Sequence, residues 1–166
     1  MNRLLVLTLP LLLTACGLSP LYGGGAGGQT AQALKSVSIA PIEGKGGWLL
    51  RNALSDRMGG QGQGAAAYRL EIELDDQIGG FGLRRDDTIT RERRTLRARY
   101  RLVESANGTV VLDATAGSDV GIDVVSSEYA TVAAENTALE RLAETLADQI
   151  TARIALFANR SQPTGQ

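Results

Sequence analysis

The chain contains no histidine. That removes imidazole acid–base catalysis, histidine metal ligation and histidine-based pH switching. A single cysteine among 166 residues leaves no partner for an intramolecular disulfide, so stability must come from packing. Aromatics make up only 4% of the sequence, too few to suggest a stacking platform for bases or sugars. The net charge is −1, and removal of residues 1–15 would take away only Arg3 and move it to −2. A nucleic-acid partner is therefore not expected. Lysine is nearly absent as well: only Lys35 and Lys45 occur, and no serine motif accompanies either, so a Ser–Lys nucleophile has no support. Asp75-Asp76 and Asp86-Asp87 are adjacent carboxylates. Neighbours in a strand point to opposite faces, and at loop tips such pairs are turn formers. The remaining acids are too scattered to form a metal site. The expectation is a non-enzymatic protein with no catalytic residue and no metal.

What is present begins at the N-terminus. Arg3 precedes a short apolar run that starts at Leu4 and is interrupted by Pro10. A basic start, an apolar core and small residues before a cut describe a signal peptide, here residues 1–15. The run is shorter than the roughly 20 residues a bilayer span requires. It ends in Leu13-Thr14-Ala15-Cys16, which resembles a bacterial lipobox. Cys16 is then the lipidated first residue of the mature chain, and that covalent lipid is the only cofactor expected. The chain is expected to be exported and tethered to a membrane. Gly17, rather than Asp, follows the cysteine. By the sorting rule of enteric bacteria this points to the periplasmic face of the outer membrane.

Residues 16–34 read as a glycine-rich tether, with Gly23-Gly24-Gly25-Ala26-Gly27-Gly28 at its centre. A phosphate-cradling loop would need a preceding strand and a following Lys-Ser/Thr, and both are missing. The folded domain is expected over 35–160, followed by a disordered polar tail at 161–166.

Inside the domain, Val37, Ile39 and Ile42 suggest a short strand. Leu50, Leu54 and Met58 recur at helical spacing within 48–58. Tyr68, Leu70, Ile72 and Leu74 alternate with charged residues, as in a half-buried strand over 68–75. A loop is expected through Gly79–Gly82 to Asp86-Asp87. Leu96, Ala98, Tyr100 and Leu102 mark the core face of a long third strand. Val110, Leu112, Ala114 and Ala116 mark a fourth. A two-residue Asn107-Gly108 turn would set Leu102 opposite Asp113 and put a carboxylate on the core face. A three-residue loop with Gly108 left-handed sets Leu102 opposite Leu112 and Arg101 opposite Asp113. One residue of slip flips every side chain, so the second register is predicted. Ser126-Ser127 caps a last helix over about 128–157, with Leu139, Leu142, Leu146, Ile150, Ile154 and Phe157 as its apolar stripe. The order β-α-β-β-β-α, with charged residues on one face of two strands, predicts an α+β two-layer sandwich. Two helices cover one face of a four-stranded sheet, and the other face stays open.

Arg91, Arg93, Arg97, Arg99 and Arg101 lie on that open face, within the one strongly charged segment. Arg84, Arg85, Arg91, Arg93, Arg94, Arg97, Arg99 and Arg101 fall within 18 positions. Glu71, Glu73, Asp75 and Asp113 are expected beside the last three. Arg84, Arg85, Arg91, Arg93 and Arg94 outnumber their local acids Asp86, Asp87 and Glu92. Unpaired guanidinium groups suit bidentate phosphate binding, and at an outer membrane the abundant phosphorylated ligand is lipopolysaccharide, so these five are the candidate lipopolysaccharide-binding residues.

The mature start Cys16-Gly17-Leu18-Ser19-Pro20-Leu21-Tyr22-Gly23 resembles that of the LPS-assembly lipoprotein family LptE, also called RlpB. Tyr68-Arg-Leu, the arginine strand ending Ala98-Arg-Tyr-Arg-Leu102, and Ser127-Glu-Tyr-Ala130 support it by their order. The resemblance implies two helices on a four-stranded sheet. It also implies a plug inside an LptD-type outer-membrane β-barrel, which assists barrel assembly and lipopolysaccharide insertion into the outer leaflet. Only Cys16 carries over as a site residue. A periplasmic lipid-binding or transporter-auxiliary lipoprotein also fits the residues.

Overall fold

A computed structural model describes residues 28–60, 66–83 and 89–161. The elements run α1 (Gln29–Lys35), β1 (Val37–Ile39), α2 (Gly44–Arg57), β2 (Tyr68–Leu83), β3 (Ile89–Glu104), β4 (Val110–Asp123) and α3 (Glu128–Ser161). The sheet order is β1-β2-β3-β4, with β1 parallel to β2 and the other pairs antiparallel. The α+β sandwich expected from sequence is the observed architecture.

The alternation in β3 sets the layers. Leu96, Ala98, Tyr100 and Leu102 are buried under the helices, while Arg97 and Arg99 between them are exposed. Leu50 and Leu54 of α2 and Leu139, Leu146, Ile150 and Ile154 of α3 complete the core. Burying each such side chain contributes about 1.5–3 kcal/mol. The β3–β4 turn adopts the register that keeps Asp113 out of this core. Leu102 lies opposite Leu112 and Arg101 opposite Asp113, and Gly108 is left-handed at φ 73°. The Asn107 side chain accepts from the Thr109 N–H at 2.9 Å and closes the loop.

The helices α2 and α3 run parallel. Lys45 Nζ donates to Asn136 Oδ1 at 2.6 Å near one end, and Arg57 pairs with Asp148 twelve residues further along each helix. Gly46 and Gly47 lie inside α2, which starts four residues before the helix read from sequence. They belong there because of close approach. A Cβ on Gly46 would sit 3.2 Å from Leu74 Cδ2, and one on Gly47 only 2.7 Å from the Ile42 backbone. Ser127 begins α3, its Oγ accepting from the Ala130 N–H at 3.4 Å.

Two further boundaries differ from expectation. Gln29–Lys35, which but for Lys35 lies in the stretch read as tether, forms a helix held by buried Leu34 and a 2.6 Å bond from Thr30 Oγ1 to Asn159. The expected loop at Gly79–Gly82 is instead strand, because Ile78, Gly79, Gly80 and Phe81 pair with Arg94, Arg93, Glu92 and Arg91. Helix α3 also takes in Ser161, and the rest of the expected tail, 162–166, lies outside the described residues.

Candidate functional site

The sheet face away from the helices carries the arginines. Odd-numbered positions of β2, β3 and β4 share it, which places Arg69, Arg91, Arg93, Arg97, Arg99 and Arg101 beside Glu71, Glu73, Asp75, Asp113, Asp119 and Asp123. Among the described residues six cations stand against six carboxylates, so this part of the face is neutral and exerts no long-range pull on an anion. Its chemistry is local.

The pairing runs along diagonals as well as directly across. Arg101 stands opposite Asp113, but Arg99 takes that carboxylate through two nitrogens, at 3.3 and 2.9 Å. This hydrogen bonding holds the Asp113 carboxyl below the usual carboxylate range. Arg101 instead reaches Glu71 at 3.5 Å and Glu73 at 3.6 Å, and Arg69 joins Glu71 at 2.7 Å. Arg97 makes no ion pair among the described residues. Asp75, directly opposite, accepts from Gln77 instead. Arg97 lies across Gly117, where a Cβ would come within 3.3 Å of its Cγ. Around it is an open cleft of about 510 Å³ whose rim includes Glu73, Asp75, Arg99 and Thr115.

The five arginines singled out from sequence separate. Arg91 and Arg93 lie on the open face near the β2–β3 tip, as expected, but neither is unpaired. Arg91 Nε meets Asp123 at 2.9 Å, and Arg93 Nε meets Asp119 at 3.6 Å. Arg93 also stands 5.1 Å over the Phe81 ring, a cation–π arrangement. Their partners come from the far end of β4, not from the local acids. Arg94 must be withdrawn from the set. It shares the parity of Leu96 and Ala98 and faces the helices, where its side chain is 14% exposed. It grips both oxygens of Asp76, at 2.8 and 2.6 Å, and donates to the Glu135 carbonyl at 2.9 Å. Glu92 is likewise on the helix side, beside Glu135, so it neutralises neither Arg91 nor Arg93. Arg84 and Arg85 lie outside the described residues, as does Cys16. Among the described residues Arg97, which sequence reasoning assigned to the β2 acids, is the open-face guanidinium most available to a ligand. The signal for it was Gly117, where the missing Cβ leaves room beside the Arg97 Cγ.

The lipopolysaccharide-assembly family model, LptE, matches residues 34–154. The chain belongs to the LptE family. The match takes in α2, every described strand and α3 through Ile154, leaving out most of α1 and the last turns of α3. A lipoprotein of Caulobacter crescentus is similar in structure, with a TM-score of 0.70 and 28% identity over 82% of this chain and all of that one. A minor lipoprotein of Acinetobacter baumannii gives 0.60 and 19%, over 76% of this chain and 96% of its own. The rare lipoprotein B of Shewanella oneidensis gives 0.55 and 11%, over 75% and 96%. The last two support the LptE fold alone. The comparison with curated proteins found no match. As an LptE-family lipoprotein, the chain is related to lipopolysaccharide assembly in the cell envelope.

Proposed function

We propose that this LptE-family lipoprotein is held by lipid on Cys16 at the periplasmic face of the outer membrane. There it occupies the lumen of an LptD-type β-barrel as a plug and helps that barrel assemble. It assists lipopolysaccharide insertion into the outer leaflet without catalysing a covalent step. The observation that carries this reading is the family match over residues 34–154, which spans the folded domain almost from end to end. The open face supports it. A neutral surface of exposed ion pairs suits the polar, water-filled interior of a large barrel better than lipid.

In this reading Arg91 and Arg93, with Arg84 and Arg85 beyond the described tip, contact lipopolysaccharide phosphate. Their carboxylate partners are no obstacle: exposed pairs of this kind contribute about 1 kcal/mol or less, so a phosphate can displace them. Arg97 has no ion-pair partner among the described residues and joins the set. The test is binding of purified lipopolysaccharide to Arg91→Ala/Arg93→Ala and to Arg97→Ala. Both variants are expected to bind about tenfold more weakly, because charge-assisted phosphate contacts are the strong ones. Unchanged binding by folded variants overturns the site.

A further inference from the structure

We propose that Leu21-Tyr22, in the segment between the lipid cysteine and the domain, docks into an apolar pocket of its own domain at the C-terminal end of α3. A flexible spacer needs no large apolar side chain. Yet Leu18, Leu21 and Tyr22 stand together just before the glycine run at 23–28.

The folded part offers a receptor where that segment arrives. The described chain starts at Gly28, which caps α1, and α1 is tied to the end of α3 by the Thr30–Asn159 bond. Next to this entry point is a pocket of about 170 Å³ lined mainly by Ala33, Val37, Tyr68, Leu102, Ile154 and Phe157. The rings of Tyr68 and Phe157 meet edge to face, with centroids 6.3 Å apart, and stiffen one wall. The pocket suits a large side chain and is too small for a full acyl chain.

Reach and chemistry favour Tyr22 as occupant. Gly23 to Gly28 can span up to about 20 Å, whereas Ala33 lies only about 8 Å along α1 from Gly28. Glycine permits the reversal this path needs. At the rim, Ser161 Oγ donates to the Phe157 carbonyl at 3.0 Å, which leaves its own lone pairs to accept from a phenol. The pocket thus pairs an apolar body with a polar end, the two parts of a tyrosine. Docking would leave only residues 16–20 between lipid and domain, and so hold the α1 end of the domain at the membrane. That consequence rests on lipidation of Cys16; the docking does not.

The test is disulfide trapping in the full mature lipidated chain carrying Gly23→Cys, next to the docking pair, and Ala158→Cys, at a residue that also lines the pocket. A docked segment raises the local thiol concentration, so adding Tyr22→Ser should slow bond formation by about tenfold. Unchanged circular dichroism of the Tyr22→Ser chain verifies that this substitution leaves the fold intact. An equal rate with and without Tyr22 overturns the proposal. So does a bond that forms in detergent but is lost in phospholipid vesicles, since the membrane then holds Tyr22.

Discussion

Glu92 of β3 and Glu135 of α3 bring two carboxyl groups together beneath the helix, and Glu92 Oε2 is hidden from solvent without a hydrogen-bond partner among the described residues. Burial first, then repulsion from Glu135 and a shared hydrogen bond, raise the Glu92 carboxyl above its usual range. The other charges at this junction are Arg94 and Asp76, which pair with each other. Such a pair holds a proton more readily when folded than when unfolded, so its stability is present below the ordinary glutamate range. It is lost as pH rises through the raised value. Glu92→Gln should therefore raise the melting temperature by about 2–4 °C at pH 8 and leave it unchanged at pH 4. Melting curves at the two pH values check this, and an equal shift at both would contradict it.

The Arg57–Asp148 pair between α2 and α3 has the opposite sign. Hydrogen bonding to Arg57 holds the Asp148 carboxyl below its usual range. Its stability is present above the ordinary aspartate range and lost as pH falls through the lowered value. Asp148→Asn should flatten the acid limb of the stability–pH curve and leave the alkaline limb alone. Denaturation midpoints between pH 3 and 6 read it out.

Arg94 and Arg91 test the division of the arginines. Arg94 joins β2, β3 and α3 through charge-assisted bonds, so Arg94→Ala should cost about 1.5–3 kcal/mol. Arg91→Ala removes one exposed pair and should cost about 0.5 kcal/mol or less. Urea unfolding of both distinguishes them.

Gly47→Ala places a methyl 2.7 Å from the Ile42 carbonyl carbon and oxygen. Overpacking against backbone should cost about 1–3 kcal/mol. Gly79→Ala meets nothing within 4 Å and should stay within about 0.5 kcal/mol of the parent. The same unfolding measurement covers both.

Particular residues show what was legible in the sequence. The β3–β4 register could be read because the alternative buried Asp113, and the α3 stripe because its apolar positions keep one face. Helix α1 could not: it is seven residues long, too short for a periodicity, and Leu34 is the buried anchor among its described side chains. The partners of Arg91 and Arg93 were missed because the fourth strand was read only as far as Ala116. Continued along β4, the predicted register sets Arg91 opposite Asp123 and brings Asp119 near Arg93. The position of Arg94 was legible, since parity with Leu96 already sets it on the helix side. Arg97 shows the limit of pattern reading. Its cross-strand neighbour Asp75 was correctly placed, but side-chain rotamers, not register, decide which carboxylate a guanidinium takes.

The central claim is the plug in an outer-membrane barrel, and purification of the tagged, lipidated protein from detergent-solubilised envelopes tests it most directly. A stoichiometric LptD-type β-barrel that survives stringent washing is the predicted result. Recovery of the protein alone, or with an inner-membrane transporter, would contradict the account and favour a lipid-carrying or auxiliary role.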